Sequence, residues 1–110
     1  MNPKKRFEVR YLEDAVDFLN SLDIKVKDKI LYDIMKSQYE VNNELFKKLT
    51  DSIWEFRTRY NGIAYRLLAF WDNGSKSLVI ATHGFVKKKQ KTPGNEIKRA
   101  EELMKMYYGR

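Results

Sequence analysis

The sequence predicts an α+β fold: a small antiparallel sheet with an N-terminal αα-hairpin on one face and a C-terminal helix, in the order β-α-α-β-β-β-α. Three observations carry that expectation. Val26, Ile30 and Ile34 recur every four residues, with Leu31 and Met35 widening the stripe, which is the period of an amphipathic helix. Residues 53–86 hold three apolar stretches broken at Asn61-Gly62 and at Asp72-Asn73-Gly74-Ser75, the turn chemistry of two successive hairpins. Thr92-Pro93 then precedes the stripe Ile97, Ala100, Met104 and Tyr107, as a hydroxyl N-cap with proline at the first helical position precedes a helix.

Taken in order, Arg6–Arg10 alternates, with Phe7 and Val9 on one side, and reads as a short strand. Glu13–Ser21 follows as a helix, with Val16, Leu19 and Leu22 inward and Glu13, Asp14 and Asp17 near its start, where the helix dipole favours acids. Asp23 is the expected N-cap of a second helix over Ile24–Tyr39, and the short link makes the two an αα-hairpin. Glu40–Asp51 reads as a connector anchored by Leu45, Phe46 and Leu49. Ile53–Arg59 alternates, with Trp54 and Phe56 on one face and Glu55, Arg57 and Arg59 on the other. Ile63–Trp71 is apolar except for Arg66, and Leu78–Val86 is apolar except at Thr82, His83 and Gly84. Such near-continuous apolar strands belong to a sheet covered on both faces over part of its area.

The 110 residues are expected to form one domain, 1–110. The absence of cysteine removes disulfide and thiol chemistry, and a single histidine leaves no zinc constellation, so neither metal nor cofactor is expected. No run approaches a membrane span, and the charged start lacks the apolar core of a signal peptide, which points to the cytoplasm. The net charge is +7, and its placement is informative. Residues 1–52 carry ten Lys or Arg and ten Asp or Glu, whereas residues 53–91 carry eight against Glu55 and Asp72. An excess this localised marks a surface for a polyanion, with nucleic acid favoured over a membrane because the charge sits on strands.

A two-residue loop at Asn61-Gly62 pairs Tyr60 with Ile63, Arg59 with Ala64 and Arg57 with Arg66. Two like charges directly opposed destabilise a sheet unless an anion lies over them. Glu55 is one such anion and a phosphate is another; guanidinium suits phosphate through its planar fork of donors. His83 has the ordinary pKa for proton transfer, and Gly84 beside it leaves room for a close approach, although a hydrogen-bonded histidine at the sheet rim is the plainer reading. The run from Phe85 to Lys91 places Lys87, Lys88, Lys89 and Lys91 after an aromatic, a set that neutralises phosphates and stacks a base, or else a solvated loop. Tyr60, Tyr65, Tyr107 and Tyr108 are further aromatics, with Tyr65 and Tyr107 fitting the core better.

These residues together resemble the RelE/HigB-like toxins of bacterial type II toxin–antitoxin systems, in the phage-derived HigB-like branch. The resemblance spans most of residues 45–101 and rests on Leu49 followed by IWEFR, on GIAYRLLAF, on HGFVKKKQKTP and on EIKRAE. It implies a RelE-like sheet and a metal-independent, ribosome-dependent endoribonuclease that cuts mRNA by attack of the ribose 2′-OH on the adjacent phosphate. Position by position, it gives Arg57 and Arg66 the scissile phosphate, and Glu55 or His83 the proton transfer. Lys87, Lys88 and Lys89 take backbone phosphates, with Lys91, Arg59 and Phe85 beside them. It also implies a helix-turn-helix antitoxin as partner. Two other readings share these features: a ParE-type toxin that inhibits gyrase, and a non-catalytic RNA-binding module.

Overall fold

The protein is described here by a computed structural model over residues 3–109; the first two residues of the charged start and the last residue of the expected domain lie outside it. In chain order the elements are β1 (Glu8–Tyr11), α1 (Glu13–Asn20), α2 (Ile24–Tyr39), β2 (Phe46–Lys48), β3 (Trp54–Tyr60), β4 (Ile63–Trp71), β5 (Leu78–Lys87) and α3 (Gly94–Tyr108). The sheet runs β1-β5-β4-β3-β2. Strands β2 to β5 pair antiparallel, but β1 lies parallel to β5, with Glu8 beside Leu78 and Tyr11 beside Ala81. The sheet is therefore mixed and five-stranded, where an antiparallel sheet without β2 was expected. The added strand is three residues of the expected connector, and it pairs Phe46 with Phe56 and Lys48 with Trp54.

Local chemistry sets several boundaries. The Asp23 carboxylate accepts from the Lys25 N–H at 2.9 Å and caps α2 as expected. Asn61 and Gly62 both adopt positive φ, 49° and 78°, as a two-residue hairpin turn requires. Helix α1 turns Leu19 inward as expected, and Leu22 just beyond it packs on the same core, but Ala15 takes the buried place expected of Val16, which is exposed. At α3 the N-cap is Pro93 rather than Thr92, and no side chain caps the helix. The Thr92 hydroxyl is engaged elsewhere, as described below.

The sheet has a different core on each face. On one face Leu19 of α1 and Ile30 and Ile34 of α2 pack with Phe7, Phe56 and Leu67, among others. Under α3 lie Ile53, Leu68, Phe70, Ile80, Phe85 and Ala100. Each large apolar side chain so buried contributes on the order of 1.5–3 kcal/mol. A bulge in β5 sets which residues reach the α3 face. Leu68 pairs with His83 and Ala69 with Ala81, so Thr82 is the extra residue and its hydroxyl donates to the Leu68 carbonyl at 3.1 Å. Beyond the bulge His83, Phe85 and Lys87 lie beside Leu68, Arg66 and Ala64 on the α3 side. Gly84 points the other way, where an added Cβ would collide with the Phe18 ring of α1. The room at Gly84 thus serves helix packing and not a ligand.

Candidate nucleic-acid interface

Helix α3 is 15 residues long and packs over one end of its face; at the other end Arg57 is half-buried and Arg66 is buried. The register there is the expected one: Arg57 opposite Arg66, Arg59 opposite Ala64, Tyr60 opposite Ile63. Glu55 lies one step along β3 on the same face and is only 2% exposed. Its Oε1 stands 3.4 Å from Arg66 Nε and 3.6 Å from Arg57 Nε, so one oxygen is shared by the two opposed cations. Its Oε2 accepts a short hydrogen bond from the Thr92 hydroxyl. Glu55 is thus the anion that offsets the arginine pair, and it serves both arginines instead of one.

The sharing leaves each arginine only partly satisfied by Glu55. Arg57 Nη1 donates to the Asn43 carbonyl at 3.2 Å, and Arg66 Nη1 to the Tyr65 carbonyl at 3.1 Å. Both Nε atoms are buried against Glu55 Oε1 and, among the described residues, make no hydrogen bond. A buried N–H without a well-formed acceptor costs about 1–3 kcal/mol, so the shared carboxylate satisfies the pair only in part. Burial, together with Arg57 and Arg59, holds the Arg66 guanidinium below the ordinary arginine range against the opposing pull of Glu55. Lys87 is likewise pushed down, chiefly by burial and then by Arg66, with Arg57 and Lys47 adding to it. Cations crowded enough to perturb one another form a site short of negative charge.

Two concavities meet at this cluster. A groove of about 700 Å³ is lined by Arg57, Arg59, Arg66, Lys87, Lys88 and Lys89, with no acid on its walls. A second groove, about 520 Å³, rounds the β3 edge to Lys29 and Lys36 of α2, but Asp33 and Glu44 also line it. The Lys29 ammonium is already paired with Asp33 at 2.8 Å. An extended anion therefore fits the first groove better.

The structure brings Glu55, Arg57, Arg59, Arg66 and the lysines to one place and leaves two expected residues out of it. His83 is not at the rim; it is 0% exposed beneath α3, its Nε2 3.0 Å from Glu96 and its Nδ1 3.0 Å from the Thr82 hydroxyl. Burial holds its imidazole below the ordinary pKa, with the Glu96 hydrogen bond working against that and Arg99 with it. Phe85 is packed in the α3 core, so its ring is no open stacking platform. Conversely, Thr92, a helix cap by its place in the sequence, holds Glu55 instead. Lys47 lay in what was read as a connector and emerges opposite Glu55 in β2. Phe46-Lys47-Lys48-Leu49 does not alternate, so no period-two signal marked this strand. Among the described residues, no cluster of His, Asp and Glu could hold a metal ion, and no helix is long and apolar enough to cross a membrane.

Comparison with known proteins bears on family and on fold. Residues 17–105 match the model of a family described as Phage derived protein Gp49-like. No curated protein matches the chain. Among solved structures, a chain of the toxin–antitoxin complex RelBE2 from Mycobacterium tuberculosis superposes with a TM-score of 0.59 at 17% identity, over 80% of this chain and 100% of that one. The likeness is one of fold.

Proposed function

This chain belongs to the family of phage-derived Gp49-like proteins, and from that premise we propose that it is the toxin of a toxin–antitoxin pair, an endoribonuclease that cuts mRNA on the ribosome. The observation that carries the proposal is the opposed pair Arg57 and Arg66, which share one oxygen of Glu55 and both line a lysine-rich groove. The fold shared with a chain of the RelBE2 complex supports it. Within this reading the protein works in the cytoplasm, on the HigB-like plan, with ribosome, mRNA and an antitoxin of helix-turn-helix type as partners.

In the proposed reaction the ribose 2′ oxygen attacks the adjacent phosphorus and the bond from phosphorus to the 5′ oxygen breaks. The products are a 2′,3′-cyclic phosphate and a free 5′-OH. Glu55 takes the 2′ proton, being the carboxylate held among the two arginines and Thr92. Lys87, whose ammonium is more acidic than usual, gives a proton to the departing 5′ oxygen. Arg57 and Arg66 meet the charge that grows on the phosphoryl oxygens, a role for pre-positioned donors. Arg59, Lys88 and Lys89 hold the neighbouring backbone. His83, closed off beneath α3, has a structural part in this scheme and Phe85 another.

The test is induced expression with mapping of mRNA 5′ ends, comparing the natural chain with Arg66→Met. The natural chain should arrest growth and leave new 5′ ends within translated codons. Arg66→Met should lose cleavage by about two to three orders of magnitude while still binding ribosomes, the measured scale for loss of one transition-state donor. Growth arrest without RNA cleavage would move the assignment to a gyrase inhibitor. Ribosome binding with neither effect would leave a binding module.

A further inference from the structure

The lysine run does not act as one patch. Lys88 and Lys89 line the 700 Å³ groove, whereas Lys91 lines a separate pocket of about 290 Å³ on the other side of Arg57, and Lys87 lines both. The smaller pocket is closed by Lys47 of β2, with Glu55 and Thr92 in its wall. It therefore presents four cations against one carboxylate, and that carboxylate is already committed to Arg57, Arg66 and Thr92. Among the described residues, Lys47 and Lys91 have no ion-pair partner, and both are exposed. Lys47 sits close enough for its charge to be felt at Lys87.

We propose that this pocket is a second phosphate subsite, in which Lys47 and Lys91 hold the backbone phosphate next to the one gripped by Arg57 and Arg66. The inference rests on the ribonuclease reading and extends it. A strand lying in the large groove must continue past Arg57 and Lys87, and the pocket beyond them is basic. The groove on the β3 edge also adjoins Arg57, but its Asp33 and Glu44 repel a phosphate there. Lysine suits the role because its compact charge follows a flexible backbone without demanding one orientation.

The test uses the full chain and a labelled single-stranded 2′-O-methyl oligoribonucleotide, which cannot be cleaved, titrated over a range of salt. Each phosphate neutralised on a single strand contributes about −0.7 to the log–log salt slope. The double variant Lys47→Gln, Lys91→Gln should shallow the slope by about that amount, and the salt response of Lys76→Gln, in the remote β4–β5 turn, should match the natural chain. A double variant with the natural slope and affinity overturns the subsite. If that variant binds RNA normally but loses affinity for the antitoxin, the pocket takes an acidic segment of that protein instead. A natural chain that cleaves mRNA in cells while ignoring Lys47 and Lys91 in both assays removes the subsite and leaves the ribonuclease reading standing. A natural chain that neither binds the oligonucleotide nor cleaves removes both.

Discussion

Glu55 makes the arginine pair tolerable, and its energetics are those of one buried anion shared by two cations. Removing one partner of a simple buried ion pair costs about 3–5 kcal/mol because the other is stranded. Here either arginine can go and the other remains. Arg57→Met and Arg66→Met should each change the unfolding free energy by less than about 1 kcal/mol. The double variant strands Glu55 with only Thr92 and should cost about 3–5 kcal/mol. Urea unfolding of the three variants decides; additive losses would show that Glu55 is not held in common. The pairing of Arg57 with Arg66 was legible in the sequence because a two-residue turn fixes the register outward from itself. The Thr92 bond was not, since a Thr-Pro dipeptide before an apolar stripe carries the local signature of a cap, and only the tertiary fold brings Glu55 within reach.

At the scale of elements, α1 and α3 are each fastened to β5, on opposite faces, next to the bulge. On the α3 side the Glu96 carboxylate only accepts, so Nε2 of a neutral His83 carries the hydrogen. The Thr82 hydroxyl has a single hydrogen to divide between Nδ1 and the Leu68 carbonyl. Groups facing this imidazole from α3 and α1 are Glu96, Arg99 and Asp14. Because burial depresses the folded pKa, the unfolded chain takes up the proton first as pH falls. The stability contributed by neutral His83 is thus full above about 6.5 and is lost as pH drops through the folded value. His83→Gln should flatten the fall of stability between neutral and mildly acidic pH, read by denaturant unfolding; an unchanged curve would assign that fall to carboxylates. On the α1 side Gly84→Ala drives a methyl into the Phe18 ring and should cost about 1–3 kcal/mol. Phe18→Ala in the same chain should recover part of that loss, and strict additivity would mean the ring does not fill this gap. Helix α2 and the β3–β4 hairpin could be read in advance because their signals are local: a period, a cap, a turn. The parallel β1–β5 pairing could not, since no turn joins those strands and nothing nearby in the sequence fixes their direction.

Over the whole molecule, the sequence located the excess charge, and the fold gives it direction. Lysines that read as one run are divided between two pockets, and Lys47, from the electrically balanced first half, joins them through a three-residue strand. Burial took His83 and Phe85 out of reach because the bulge at Thr82 turns both under α3. That outcome depends on where a single extra residue is accommodated, which composition and periodicity do not reveal. The parallel pairing of β1 with β5 bears on how the protein is made. Glu8 leaves the ribosome early and has no partner until Leu78 follows it. Glu55 waits longer still for Thr92, and the sheet face beneath α3 waits for Ala100. Translation therefore delivers the parts of the cleft in an order that withholds it to the end, and a chain that stops short of Thr92 has no assembled cleft.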